Sequence, residues 1–445
     1  MDIKYRRILA GSFIVAFLII APILLLYTSG FSYNFKKGSL QKTGALVLET
    51  EPTGALIYLN DQLIPEKTPA RLNNITPDNY EIRIEKAGYY PWSKKLSVKD
   101  QETTFAENIV LFKNIDPTMV TESDIDWWSF SPNQKFALYQ TSAGLSLLDT
   151  SNKKTRLLEE NMPEISSAAW SKSDTYVFVE EESTTKVFTT TQPTQTFTIE
   201  KELYTPMADN FKWSESDFSA LHFQSGNKVF QMNMLLNSVS QIYELPSDET
   251  LLDYKIFNNE LFVVKKLNDK TILTKYLLPQ GDSPTLPKSI ELKDHDYIFL
   301  DIANSKLSLM DSDDRTYLLI NTSLDKIVFQ KKDVQSIDLH EQNDLLLLQT
   351  SQEIAYVNLN SDNFQETNLT RYSSDLNATE WHNSSNYIIA LQNNNLHYIE
   401  LDDRNGHFTI EIIDDANIDD FTLDEHSEIL YFVKDFKLYS TNLVD

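Results

Sequence analysis

The side chains that could do chemistry in this chain are short runs of carboxylates, scattered histidines and two groups of aromatic residues. Asp311, Asp313 and Asp314, and Asp402, Asp403 and Asn405 ahead of Gly406, offer the oxygen ligands a calcium ion takes. Neither run has the distal carboxylate that completes a calcium loop, and Asp and Asn equally serve to turn a hairpin. The preferred reading holds no cofactor, with calcium as the alternative. The seven histidines, at 222, 295, 340, 382, 397, 407 and 426, are scattered. His340, His382 and His426 fall at or just after recurring positions, but a metal or acid–base centre needs its members within a few ångströms. Turn or surface placement is the simpler expectation. Tyr89, Tyr90 and Trp92, and separately Trp127 and Trp128, could stack on a sugar or peptide; packing in a core or between sheets is the competing role.

Several chemistries have no footing. There is no Gly-rich phosphate loop, Gly-x-Ser-x-Gly elbow or histidine pair at metal spacing. Cysteine is absent, which excludes disulfides, thiolate metal sites and a cysteine nucleophile. With 39 basic against 65 acidic residues the formal charge is −26, so phosphate backbones and anionic lipid are repelled and nucleic acid is not an expected partner.

Most of these residues lie on a repeat that must position them. From Asp124 to Asp149 the chain reads DIDWWSFSPNQKFALYQTSAGLSLLD: an apolar anchor at Phe130, a polar turn, a strand, a second turn and another strand. The unit recurs with Trp170, Trp213, Ile256, Ile302, Leu339, Trp381 and Leu423 as anchors, a period of about 42 residues that suits four-stranded blades. Eight anchors predict an eight-bladed β-propeller over 114–445. The last unit lacks a fourth strand, and 115–122 belongs to no unit. The expectation is that 115–122 pairs with the last blade and closes the ring, since an open edge strand is a liability.

Ahead of the repeats, residues 1–7 carry Lys4, Arg6 and Arg7, and residues 8–27 contain no charge over a length that crosses a hydrocarbon core as a helix. A transmembrane helix at 8–27 is expected, with a cleaved signal peptide as the rival. Lys36, Lys37 and Lys42 nearly balance the basic head. The short head favours a cytoplasmic N-terminus, and 28–43 reads as a stalk.

Residues 44–112 switch to period-two alternation, as in YEIRIEKA, where Tyr80, Ile82 and Ile84 face one way. Pro52 and Gly54 between two apolar runs mark a tight reversal, and about five strands build a small β-sandwich. Pro52, Gly54 and Ala55, then Thr68-Pro69, Tyr80, Lys86, Gly88, Tyr89 and Trp92, make 44–112 resemble the PEGA domain, a small surface module of bacteria and archaea. The resemblance implies placement at the cell envelope beside a membrane anchor, in an interaction or spacer role. Thr53 stands where the family has an acidic residue, so only the fold carries over firmly. Pro52, Gly54, Ala55 and Gly88 read as structural, like the anchors Phe130, Trp170, Trp213 and Trp381. The turn SPNQK after Phe130 is similar to the Ser-Pro-Asp-Gly-Lys turn of TolB-like, WD-type propellers, and is degenerate in later blades.

The sequence thus predicts an all-β protein: an N-terminal transmembrane helix, a small PEGA-like β-sandwich, then an eight-bladed β-propeller. The function expected is that of a non-catalytic, extracytoplasmic scaffold of the cell envelope, monomeric, binding a protein or glycan. The alternative is a propeller hydrolase or lyase with an acidic or metal site in the central channel.

Overall fold

A computed structural model of the chain describes residues 3–28, 30–34, 38–191, 195–278, 287–300, 306–413 and 417–444. One helix, α1 (Ile3–Thr28), precedes a succession of strands interrupted only by two short 3-10 turns among these residues. Helix α1 is apolar on every face, and its stretch Tyr5–Leu26 is long and apolar enough to cross a membrane. Its position suits a single-pass anchor or a signal sequence. The helix starts ahead of the apolar run, taking in Tyr5, Arg6 and Arg7.

The rest forms two compact units: Met1–Asp116 with Ile399–Ile410 and Asn442–Asp445, and Pro117–Tyr398 with Glu411–Thr441. In the first, strand Gly44–Glu51 lies between Ala70–Ile75 and Thr103–Val110, and is parallel to the latter. A second sheet has the order Gln62–Lys67, Leu56–Leu59, Asp78–Glu85, Trp92–Val98. Leu46, Leu48, Ile57, Ile82, Ile84, Trp92 and Leu96 fill the space between the two. Seven strands stand here where about five were expected. Gln62–Lys67 is solvent-exposed along nearly its whole length and contains Pro65, which suits an edge strand and hides its alternation. The segment read as a stalk contains a two-stranded hairpin, Phe31–Asn34 with Ser39–Lys42.

The propeller is built from eight four-stranded antiparallel sheets among the described residues, at 125–160, 167–200, 209–244, 250–291, 297–331, 334–371, 376–413 and 418–442, the last completed by Thr118–Met119. Thr118 pairs with Ser440 and Met119 with Tyr439. Val120 N donates to Leu438 O, and Leu438 N donates back to Thr121 Oγ1. The outer strand of the eighth sheet therefore comes from the start of the unit and the other three from its end. Apolar clusters fill the gaps between successive sheets, as where Leu138, Leu145 and Leu147 meet Trp170, Val177 and Phe188. The innermost strands are short and half-buried, the second and third are buried, and fourth strands such as Lys154–Glu160 are largely exposed. The fifth anchor, Ile302, lies outside the described residues.

Candidate functional site

The turn that names the small domain's motif is held by a compact hydrogen-bond set. Gly54 adopts φ +84°, its N–H donates to Thr68 O at 2.6 Å, and Ala55 N donates to Thr68 Oγ1. Thr50 and Thr68 share a hydroxyl contact of 2.6 Å, and Ala55 is fully buried. Gly88 also has φ +84°, and its carbonyl accepts from Asn114 N. Pro52, Gly54, Ala55 and Gly88 thus sit where turn geometry and packing require them.

Trp92 corrects an expectation. It is 1% exposed in the sandwich core, with Phe408 against its ring at 6.0 Å, so it offers no stacking platform. The alternation WSKKLSV points it inward together with Lys94 and Leu96. Tyr89 is half-buried against the same core beneath Lys86 Nζ, and Tyr90 is half-buried, its N–H donating to Phe112 O. Lys94 Nζ reaches Glu400 Oε2 and Asp402 O, each at 2.6 Å.

In the propeller, Trp127 and Trp128 are half-buried and split between two gaps. Trp127 packs into the cluster joining the first and second blades, and Trp128 into the cluster joining the first and eighth. Successive residues on a strand face opposite sides, so adjacent tryptophans cannot form one platform. Phe130 meets Trp128 edge-on at 5.3 Å and Tyr431 at a tilt at 5.1 Å.

The anchors tie blade to blade through the inner ring. Trp170 Nε1 donates to Ser129 Oγ at 3.2 Å, and Trp213 Nε1 donates to Ala169 O at 2.8 Å. In each pair the acceptor is on the residue before the preceding blade's anchor. At Trp381 the main-chain N–H is used instead, donating to Asp338 Oδ2 at 2.7 Å. Leu423 N and Thr422 Oγ1 donate to Glu380 Oε1, and Phe299 N donates to Asp253 Oδ2. Burial raises Asp338 against the pull of these main-chain donors, and burial with the charge of Asp338 raises Glu380 well above the usual carboxylate range. Asp420 is raised by burial, partly offset by donors that include the Trp128 side chain.

A cavity of about 730 Å³ opens at the mouth where the inner-strand turns gather, bounded by Phe130, Trp170, Trp213, Phe299 and Asp338. Charged side chains cross this mouth. Glu215, nearly buried, pairs with Lys172 at 2.9 Å and Lys255 at 2.5 Å, and Lys172 reaches Glu341 at 3.7 Å. Lys212 pairs with Asp253. Breaking a buried pair of this kind strands a charge, so the network rigidifies the mouth.

The acidic runs act as turn staples. Asp311 Oδ1 accepts from Asp313 N and Asp314 N, and Asp314 pairs with Lys293. Asp402 accepts from Arg404 and Asp403 O accepts from Gly406 N. His295 Nδ1 lies 2.7 Å from Asp311 Oδ2, and His295, Asp311 and Asp313 place ligand atoms within 4.8 Å of one another, a grouping invisible in the separated sequence. Of the histidines read as turn or surface residues, His426 is exposed, but His222, His340 and His382 are buried. The inner-ring acids and the burial of these histidines escaped notice because strand alternation marks a residue as inward without saying what it meets. Aligning the residues on either side of each anchor is the signal that would have found them.

Residues 43–111 match the PEGA domain family. The propeller is similar to a solved Dos1 propeller at TM-score 0.50 and 11% identity, over 74% of this chain and 95% of that one. The Cps50 (Swd1) propeller domain of Myceliophteria thermophila scores 0.43 at 10% identity, over 74% and 99%, and the RRP9 WD40 repeats 0.44 at 9%, over 74% and 97%. At such identities the likeness concerns the fold alone. No curated protein matches the chain.

Proposed function

We propose that this protein is a non-catalytic binding scaffold of the cell envelope, anchored by residues 8–27, with residues 1–7 cytoplasmic and the domains at 44–112 and 114–445 outside. The partner is a protein or an envelope glycan, and the chain works as a monomer. The observation that carries this reading is the use made of the inner-ring acids. Asp253, Asp338 and Glu380 each spend a carboxylate oxygen on a main-chain N–H of the next blade. A channel whose acids serve as staples supports a rigid ring presenting loops, since a general acid or nucleophile needs its oxygen available to substrate. The PEGA match beside an apolar helix supports the envelope setting.

The raised Asp338 and Glu380 also motivate the hydrolase or lyase reading, because perturbed carboxylates collect at active sites. One experiment separates the two. A full-length chain with photo-crosslinking residues in the turns 131–135 and 424–428 is irradiated in native membranes, alongside Asp338→Asn and Glu380→Gln variants. The scaffold reading expects a discrete crosslinked protein or glycan species that both variants retain. Turnover of envelope polymer abolished by either variant would establish the enzyme instead. Protease digestion of intact cells tests the topology: cleavage within 44–445 is expected, and full protection would reverse the orientation.

A further inference from the structure

In the blades whose anchor is described, the second-strand residue paired with the one before the anchor faces the next blade. It is Leu138 in the first, Phe178 in the second, Phe262 in the fourth, Leu347 in the sixth, Ile389 in the seventh and Tyr431 in the eighth. Leu138, Phe178 and Phe262 each belong to the apolar cluster that seals their blade to the following one. In the third blade the same position is His222, paired with Lys212. The cluster joining the third and fourth blades contains Val229, Tyr243, Tyr254, Leu261 and Val263.

What stands in place of the apolar plug is a cavity. About 640 Å³ opens between the third and fourth blades, with His222, Gln231, Gln241 and Asp217 among its polar lining and Ile256 and Tyr243 among its apolar lining. His222 is 4% exposed, and Gln231 is its partner on the third strand. Burial pushes the imidazole down to about 4, against the opposing influence of Gln231 and Asp217, so it is neutral at physiological pH and offers one donor and one acceptor. Among the described residues no lysine or arginine lines the space.

We propose that this cleft is a binding site for an uncharged, hydroxyl-rich ligand of mono- to disaccharide size. The volume lies within the range of small-molecule sites. Two primary amides and an imidazole each donate and accept, as a sugar hydroxyl does, and a carboxylate adds an acceptor. An anionic ligand would find no cation and one negative charge. An apolar ligand would cover the His222 and Gln231 side chains without offering them hydrogen bonds, at a cost that disfavours it. The site is distinct from the channel mouth and independent of the scaffold reading, since an enzyme or a scaffold could carry it.

The test uses the full chain in a detergent without a sugar head group, titrated with cellobiose, maltose and N,N′-diacetylchitobiose, with galacturonic acid as the charged control. Saturation-transfer NMR is expected to report binding of at least one uncharged disaccharide in the millimolar range. His222→Leu restores the residue type that fills this position in the first and sixth blades, so it folds, and it is expected to weaken that binding at least about tenfold. Gln231→Leu is expected to act in the same direction. Absence of binding by all three disaccharides at about 10 mM, binding unchanged in both variants, or binding of the charged control alone would each overturn the site.

Discussion

The anchors of the early and late blades make chemically different links across the inner ring. Between the first three blades indole N–H groups bridge the inner ring, from Trp170 to Ser129 and from Trp213 to Ala169, beside the Lys172–Glu215 ion pair and the Asp174 carboxylate that accepts from Asn133. Between the sixth, seventh and eighth they are carboxylates, Asp338 and Glu380, that accept from the next blade's main chain, with buried His382 beside them. An indole is neutral at every accessible pH, so the indole links cost nothing in ionisation. A buried carboxylate or imidazole must choose a protonation state, and the choice couples the late links to pH. One architecture therefore carries indole links that are indifferent to pH and late carboxylate links that respond to it.

The largest expected effect lies in the indole links. Trp213 is buried and donates to Ala169 O, so Trp213→Ala should cost about 3–5 kcal/mol through the cavity it leaves. Trp213→Phe should cost about 1 kcal/mol for the orphaned carbonyl. Urea unfolding of the full chain at pH 6 and pH 8 should give the same losses at both. A pH-dependent loss would break the distinction between the indole and carboxylate links.

Next comes the acid side of the late links. His382 is held at about 4 by burial and by neighbouring His340, below its ordinary 6.5. The unfolded chain takes up a proton as pH falls through 6.5 while the folded protein resists, so stability present above 6.5 is lost on the way towards 4. The loss should be of the order of 2–3 kcal/mol, and His382→Asn should flatten it in thermal unfolding between pH 7 and 4.5. An unchanged slope would remove His382 from the pH response of the late links.

The smallest expected effect sharpens the comparison at the alkaline side. Glu380 titrates well above its ordinary 4.5 when folded, so the folded state keeps a proton the unfolded chain has released. Its contribution is fully present below 4.5 and lost as pH rises through the folded value. Glu380→Gln keeps an acceptor for Leu423 N and Thr422 Oγ1 without the charge. It should match or exceed the parent's melting temperature at pH 8. Glu380→Ala orphans both donors and should cost about 1–3 kcal/mol at any pH. Equal behaviour of the two variants would deny the carboxylate its role as a staple.

Much of this architecture was legible in residue order. Anchor spacing, apolar strands and polar turns are local properties, so the repeat was readable wherever its residues are described. The reversal at Pro52 and Gly54 was legible because few residues adopt that backbone. Trp92, Trp127 and Trp128 were less so. Their alternation said that they face inward or outward relative to a strand, but not whether a second sheet or solvent lies there. Five strands instead of seven were foreseen in the sandwich because Gln62–Lys67, exposed and interrupted by Pro65, has no period to detect.

The sequence by itself determined what depends on neighbours along the chain: an apolar N-terminal helix, strands of period two, and a repeat of about 42 residues that sets one blade after another. Only the tertiary structure decided which residues meet across blades. It brought His295 to Asp311, set Asp338 and Glu380 on the next blade's main chain, and left His222 where Leu138 and Phe178 fill their own gaps. These pairings span 16 to 43 residues and depend on how successive sheets stack. Desolvation and hydrogen bonding are then properties of the stacked blades and belong to no single strand.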